Sequence, residues 1–219
     1  MRGYQEQIGQ FNNIWEAAKE IFGNALWQDD PTILYCINIP LHPSCYEHMR
    51  VVSDNLQSMV PASLANLWLY NEDMHITLMI PGRMADQFQE GDIDSIRGSI
   101  EKVVQNFPKF SVELGNINYF PGTIFREVYD RNGNIFALHN QLADSIPFDL
   151  HPEYRYENYN PHMSIGYLAG EHKGLIKHPK FNREIGVVEM KVEKIYFSAV
   201  TDAGHVYQQK ILGEFPLGK

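Results

Sequence analysis

The feature that most constrains this chain is that its β-rich runs are joined by turns too short for a parallel crossover. In FSVELGNINYFPGTIFREVYD two such runs meet at Pro121-Gly122, a dipeptide suited to a tight turn. A parallel connection needs about a dozen residues or more. Antiparallel pairing follows, and because helical periodicities are interspersed with the strands, the predicted class is α+β rather than a doubly wound parallel sheet.

Residues 4–26 carry Ile8, Phe11, Ile14, Trp15, Ala18, Ile21, Phe22 and Ala25 at steps of three and four, the mark of one helical face. TILYCINIP reads as a first strand closed by Pro40 and Pro43. Ser44 is placed to cap a helix running to about Val60. LANLWLYNEDMHITLMIP reads as a strand bending near 71–73, and 92–106 and 133–145 as two further helices. A polar, tyrosine-rich loop, DLHPEYRYENYNP, leads into the strand HMSIGYL. Two final strands fit VVEMKVEKIYFSAV and VYQQKILGEF.

No apolar run reaches the roughly 20 residues that span a bilayer, and the first 25 residues lack the apolar core of a signal peptide, so a cytoplasmic protein without membrane contact is expected. The two cysteines, Cys36 and Cys45, are too few for a disulfide scaffold and read as free thiols. Eighteen basic against 27 acidic residues give a net charge of −9. That opposes binding driven by counterion release along a long phosphate backbone. A nucleic-acid partner would have to be a small nucleotide or a short RNA end, not a long duplex.

Three histidines have a serine or threonine two positions later: His42/Ser44, His75/Thr77 and His162/Ser164. Composition alone yields about half of one such pair by chance, so the count is a weak signal. The first has Pro43 inside it and falls where a loop enters a helix. The other two share a strand context. In MHITLMIP, strand alternation puts His75, Thr77 and Met79 on one face and Met74, Ile76, Leu78 and Ile80 on the other; in PHMSIGYL it puts His162, Ser164 and Gly166 opposite Met163, Ile165 and Tyr167. Each strand thus offers an imidazole and a hydroxyl on its less apolar face. Two imidazoles suit phosphodiester chemistry near neutral pH, one taking a proton from the attacking water and the other giving one to the departing oxygen. Two hydroxyls suit the non-bridging phosphate oxygens, where charge builds in the transition state. That chemistry needs no cofactor and no metal, and Gly166 leaves room for a substrate.

HITL at 75–78 and HMSI at 162–165 resemble the paired motif of the two-histidine (2H) phosphoesterase superfamily and its LigT-like, 2′,5′ RNA ligase-like members. The resemblance covers about residues 32–213 and includes Phe120-Pro121 between the motifs and Pro161 before the second. It implies a bilobal domain over 31–219, with antiparallel strands lining a central groove and helices outside. The helical arm at 1–30 departs from the compact family core. It further implies metal-independent hydrolysis of nucleotide 2′,3′-cyclic phosphates or short 2′,5′-linked oligonucleotides, with His75 and His162 catalytic and Thr77 and Ser164 holding the phosphate. By the same analogy His162 is the base and His75 the acid.

Tyr159 and Phe120 are the aromatic candidates for stacking a base, although each taken singly also fits core packing. Arg126 and Arg155 read as phosphate contacts or as solvated surface charges. Two other readings stay open: a non-catalytic module binding a nucleotide or RNA end in the same groove, and a metallohydrolase, for which no convincing ligand spacing is present. The sequence leaves the oligomeric state open.

Overall fold

A computed structural model describes residues 3–18, 32–60, 65–70, 73–81, 88–120, 122–149, 159–168, 183–203 and 206–218. Among the described residues, four helices, α1 (Tyr4–Ala18), α2 (Tyr46–Met59), α3 (Glu90–Val104) and α4 (Asn134–Ser145), accompany nine strands. The strands are β1 (Thr32–Pro40), β2 (Ala65–Trp68), β3 (His75–Met79), β4 (Phe110–Phe120), β5 (Thr123–Tyr129), β6 (His162–Leu168), β7 (Val188–Val192), β8 (Lys194–Ala203) and β9 (Val206–Pro216). They form one antiparallel sheet in the order β7-β4-β5-β6-β3-β1-β8-β9, with β2 also pairing β6. The expected α+β class is the observed one. None of the described helices is long and apolar enough to cross a membrane.

Two details shape the sheet. Only Glu193 separates β7, beside β4, from β8, on the far side of β1. The two ends of the sheet order must therefore come together, so the sheet curls. The second detail is a seam: β3 meets β6 through the pair Ile76↔Met163, and farther along the same edge of β6 its partner is β2. The seam divides the sheet into a β7-β4-β5-β6 lobe and a β3-β1-β8-β9 lobe.

Alternation sorts the side chains between two faces. Ile37, Ile39, Ile76, Leu78, Met163 and Ile165 point into the main core, where α2 contributes Met49, Val52 and Leu56, α3 Ile96 and Ile100, and α4 Ile135, Leu138 and Leu142. At about 1.5–3 kcal/mol for each fully buried aliphatic side chain, this layer dominates folding. The opposite face carries the polar residues of β1, β3 and β6. A second cluster lies on that face at β5, where Phe11 of α1 meets Phe125 and Tyr129.

Several local expectations change. The predicted helix over 4–26 is helical from Tyr4 to Ala18, and 19–26 lie outside the described residues. Ser44 does not cap α2: the helix begins after a 3₁₀ turn at Pro43–Cys45, where the His42 imidazole Nδ1 accepts from the Ser44 amide at 3.2 Å. The run VVEMKVEKIYFSAV is two strands belonging to different lobes, β7 and β8. Between β4 and β5, Gly122 is left-handed (φ 80°), a conformation that glycine adopts at no steric cost; Pro121 lies outside the described residues. Cys36 and Cys45 are buried free thiols.

Candidate active site

β3 and β6 place both histidine motifs at the seam. Over its first four residues each strand alternates half-buried and buried positions, with His75, Thr77, His162 and Ser164 half-buried and Ile76, Leu78, Met163 and Ile165 buried beneath; Met79, expected on the histidine face, is instead buried in the main core, past the irregularity in the β1–β3 register. Carrying the Ile76↔Met163 register one residue each way sets His75 across from Ser164 and Thr77 across from His162. The two imidazoles then occupy a diagonal of the pair, about 7–8 Å apart at their α-carbons, with a hydroxyl facing each across the seam. Two motifs 87 positions apart in sequence thereby become one patch.

Each ring is oriented in the same way. His75 Nδ1 lies 2.8 Å from the Asp73 carbonyl and His162 Nδ1 lies 2.9 Å from the Asn160 carbonyl. A carbonyl only accepts, so Nδ1 carries the hydrogen in both rings, and in the neutral form the lone pair is on Nε2. Burial pushes the His75 imidazole down to about 4, opposed by the bond to the Asp73 carbonyl and reinforced by the neighbouring His162. His75 is therefore neutral at pH 7.

Thr77 is braced from both ends. Its carbonyl accepts from the Tyr159 hydroxyl at 3.1 Å. Cys36 Sγ lies 3.9 Å from Thr77 Oγ1, and Asn38 Nδ2 donates to the same sulfur at 3.5 Å. Burial pushes the Cys36 thiol up to about 11, so it keeps its proton and donates it to Thr77 Oγ1. The Thr77 hydroxyl hydrogen is thus directed elsewhere. Sequence reasoning missed Cys36 and Asn38; the available signal was Asn38, a polar residue on the same alternate positions of an otherwise apolar strand.

Beside β6, β5 contributes Phe125 across from Ser164 and Glu127 across from His162. The His162 ring takes the edge-on contacts of two phenyl rings, Phe120 at 5.0 Å and Phe125 at 5.1 Å, and these two stack on each other at 4.2 Å. Phe120, one of the two expected stacking residues, is thus next to His162. Tyr159 is not placed to stack a base: it is 1% exposed, lies flat against His139 at 4.1 Å and meets Phe136 edge-on. Its covered faces make it a support for β3.

Arg126 is also relocated. It alternates to the face opposite the histidines, is 0% exposed, and donates to the Leu114 carbonyl at 2.6 Å and the Gly186 carbonyl at 2.9 Å, with His48 Nε2 3.0 Å from Nη1. It is neither a phosphate contact nor a surface charge. Arg155 lies outside the described residues. Among the described residues no cluster of three or more histidine, cysteine or carboxylate side chains is arranged to hold a metal.

The model of the 2′-5′ RNA ligase superfamily matches residues 48–202. An RNA 2′,3′-cyclic phosphodiesterase of Thermotoga maritima is 24% identical over 172 residues, covering 74% of this chain and 86% of that one. Escherichia coli LigT complexed with 3′-AMP superposes with a TM-score of 0.60 at 13% identity, over 87% of this chain and 99% of LigT. The protein TT0787 of Thermus thermophilus gives 0.60 at 14% identity, over 86% and 99%. At these identities the superpositions speak for the fold.

Proposed function

Because the chain belongs to the 2′-5′ RNA ligase superfamily, a family of phosphoesterases, we propose that it hydrolyses nucleotide 2′,3′-cyclic phosphates or short 2′,5′-linked oligonucleotides by paired-histidine acid–base catalysis. The observation that carries this reading is the seam, with two imidazoles on neighbouring antiparallel strands, each fixed through Nδ1 by a backbone carbonyl. The Thermotoga relative is named for the cyclic phosphodiesterase activity, and the LigT structure holds 3′-AMP, a nucleotide monophosphate.

In this mechanism the phosphodiester sits over the diagonal between His75 and His162. Nε2 of His162 takes the proton from a water attacking phosphorus. Nε2 of His75 gives its proton to the departing ribose oxygen as the phosphorus–oxygen bond breaks, and the product is a phosphomonoester with a free hydroxyl. Thr77 and Ser164 donate to the non-bridging oxygens, whose charge grows in the transition state. Since His75 is neutral at pH 7, it must gain its proton when the substrate anion arrives, and an anion against an imidazole favours the charged form.

The test is turnover of a nucleoside 2′,3′-cyclic phosphate and a 2′,5′-linked dinucleotide by chelator-treated protein. Ring opening or cleavage that His75→Ala and His162→Ala each abolish is the expected result. No turnover of either substrate, with identical behaviour of the variants, would sink the reading.

A further inference from the structure

The face that bears His162 continues onto β5, where Phe125 and Glu127 pair with Ser164 and His162. On an uncovered sheet this rank would extend the floor of the groove and let a polynucleotide pass across it. Here α1 lies on it, packed against β4 and β5. Phe11, 1% exposed, sets its ring 6.2 Å from Phe125 and 5.5 Å from Tyr129, and its carbonyl accepts from Asn118 Nδ2 at 2.8 Å. The Gln7 side chain bonds both backbone groups of Asp130, accepting from the amide at 2.9 Å and donating to the carbonyl at 3.0 Å. Ile8 and Ile14 pack into the same cluster as Phe120.

The covered rank includes a charge. Glu127 is 0% exposed and accepts from Asn118 Nδ2 at 2.7 Å, the Tyr129 hydroxyl at 2.5 Å and Arg183 Nη2 at 2.7 Å. Arg183 in turn donates to Asn12 Oδ1 at 2.9 Å and lies 5.1 Å from the Trp15 ring. A buried carboxylate survives only with its partners in place, and α1 supplies the outer part of that arrangement. The helix is an integral wall.

Its height follows from geometry. A helix is about 10 Å across, and neighbouring strands are about 4.8 Å apart. Seated on β4 and β5, α1 stands beside β6 and rises roughly one helix diameter above the sheet. Phe120 and Phe125 line the foot of this wall and touch His162.

We propose that α1 is a stop that restricts the groove to a phosphodiester at the end of a nucleotide chain, because the wall of α1, Phe125 and Phe120 blocks further nucleotides on the His162 side. The inference rests on the reading given under Proposed function and deepens it by fixing where in the chain the scissile phosphate lies. The net charge of −9 points the same way, since a long polyanion gains little from this surface.

Tetranucleotides that carry one 2′,5′ linkage, placed either at the end or in the middle, test it on the unmodified protein. The central linkage should be cleaved at least about a hundredfold more slowly, and non-cleavable versions of the two should differ at least about tenfold in affinity by fluorescence anisotropy. Replacing Phe11 and Ile14 together by Ala, to loosen the wall, should narrow both gaps by about tenfold. Should that double variant not fold, Trp15→Ala, which removes the ring against Arg183, is expected to narrow them by a smaller factor. Cleavage and binding within threefold at the two positions would overturn the inference and leave the phosphodiesterase reading standing. Selective end binding without any turnover would do the reverse.

Discussion

Substrate binding should draw a proton from solution. With its pKa at about 4, His75 is only about 1% protonated at pH 6. An anion within about 4–6 Å favours imidazolium by roughly 1–3 units. A rise of about 2–3 units puts the bound ring at roughly 6–7 and makes it half to nine-tenths protonated at pH 6. Binding then takes up about 0.5–0.9 proton per site. In the proposed mechanism the His162→Ala variant cannot turn over, while His75 stays nearly as it is, since His162 is the smallest of the three influences on that ring. Titrating this variant calorimetrically with a nucleoside 2′,3′-cyclic phosphate, whose single charge does not change near neutrality, in buffers of different ionisation enthalpy gives the proton count directly. The complex binds more protons than the free protein between the two pKa values, so affinity should strengthen as pH falls from about 7 towards 4 and level off below. Intact binding with no uptake, or the same uptake after His75 is also replaced by Ala, would show that His75 does not take up the proton.

The same depressed pKa bears on folding. His75 prefers its neutral form in the native state, so its contribution is fully present above the ordinary value of 6.5 and is lost as pH falls towards about 4. On that basis the unmodified protein should lose on the order of 2–3 kcal/mol more stability than His75→Gln between pH 7 and 4 in urea unfolding; parallel losses would count against it. Replacing Cys36 by Ala removes the donor to Thr77 Oγ1 and should lower kcat about three- to tenfold, an effect of about 1 kcal/mol, with Cys36→Ser restoring most of it. Arg126→Met leaves the Leu114 and Gly186 carbonyls without their donor and should destabilise by about 2–4 kcal/mol. KM should not change, because Arg126 faces away from the histidines.

The histidine face was legible because a period of two is local: the residues flanking His75 and His162 reveal which side each ring takes, and β1 and β6 have the bounds their patterns suggest. What the sequence hid depends on distant partners. The run through Glu193 has unbroken β character, yet its two halves pair with β4 and β1, a choice that no local propensity encodes. Ser44 has the composition of a cap, but it lies inside the 3₁₀ turn, where its hydroxyl is 2.8 Å from His42 Nδ1. Tyr159 sits in a polar loop by sequence and in the core by structure, because His139 of α4 covers its face. Arg126 alternates towards the core, where backbone carbonyls rather than carboxylates receive it. The position of α1 was equally hidden: its apolar stripe announced a helix but not the β5 face that the stripe would cover.

In the proposed mechanism His75 and His162 act together on one phosphodiester. The most direct measurement of this is single-turnover hydrolysis of a nucleoside 2′,3′-cyclic phosphate by the chelator-treated protein, His75→Ala, His162→Ala and the double variant. Groups that act as a unit are not additive, so each single replacement should cost about as much as both together, on the order of 10³-fold or more in rate. Independent, multiplicative losses, or a single variant within about tenfold of the unmodified protein, would contradict the account.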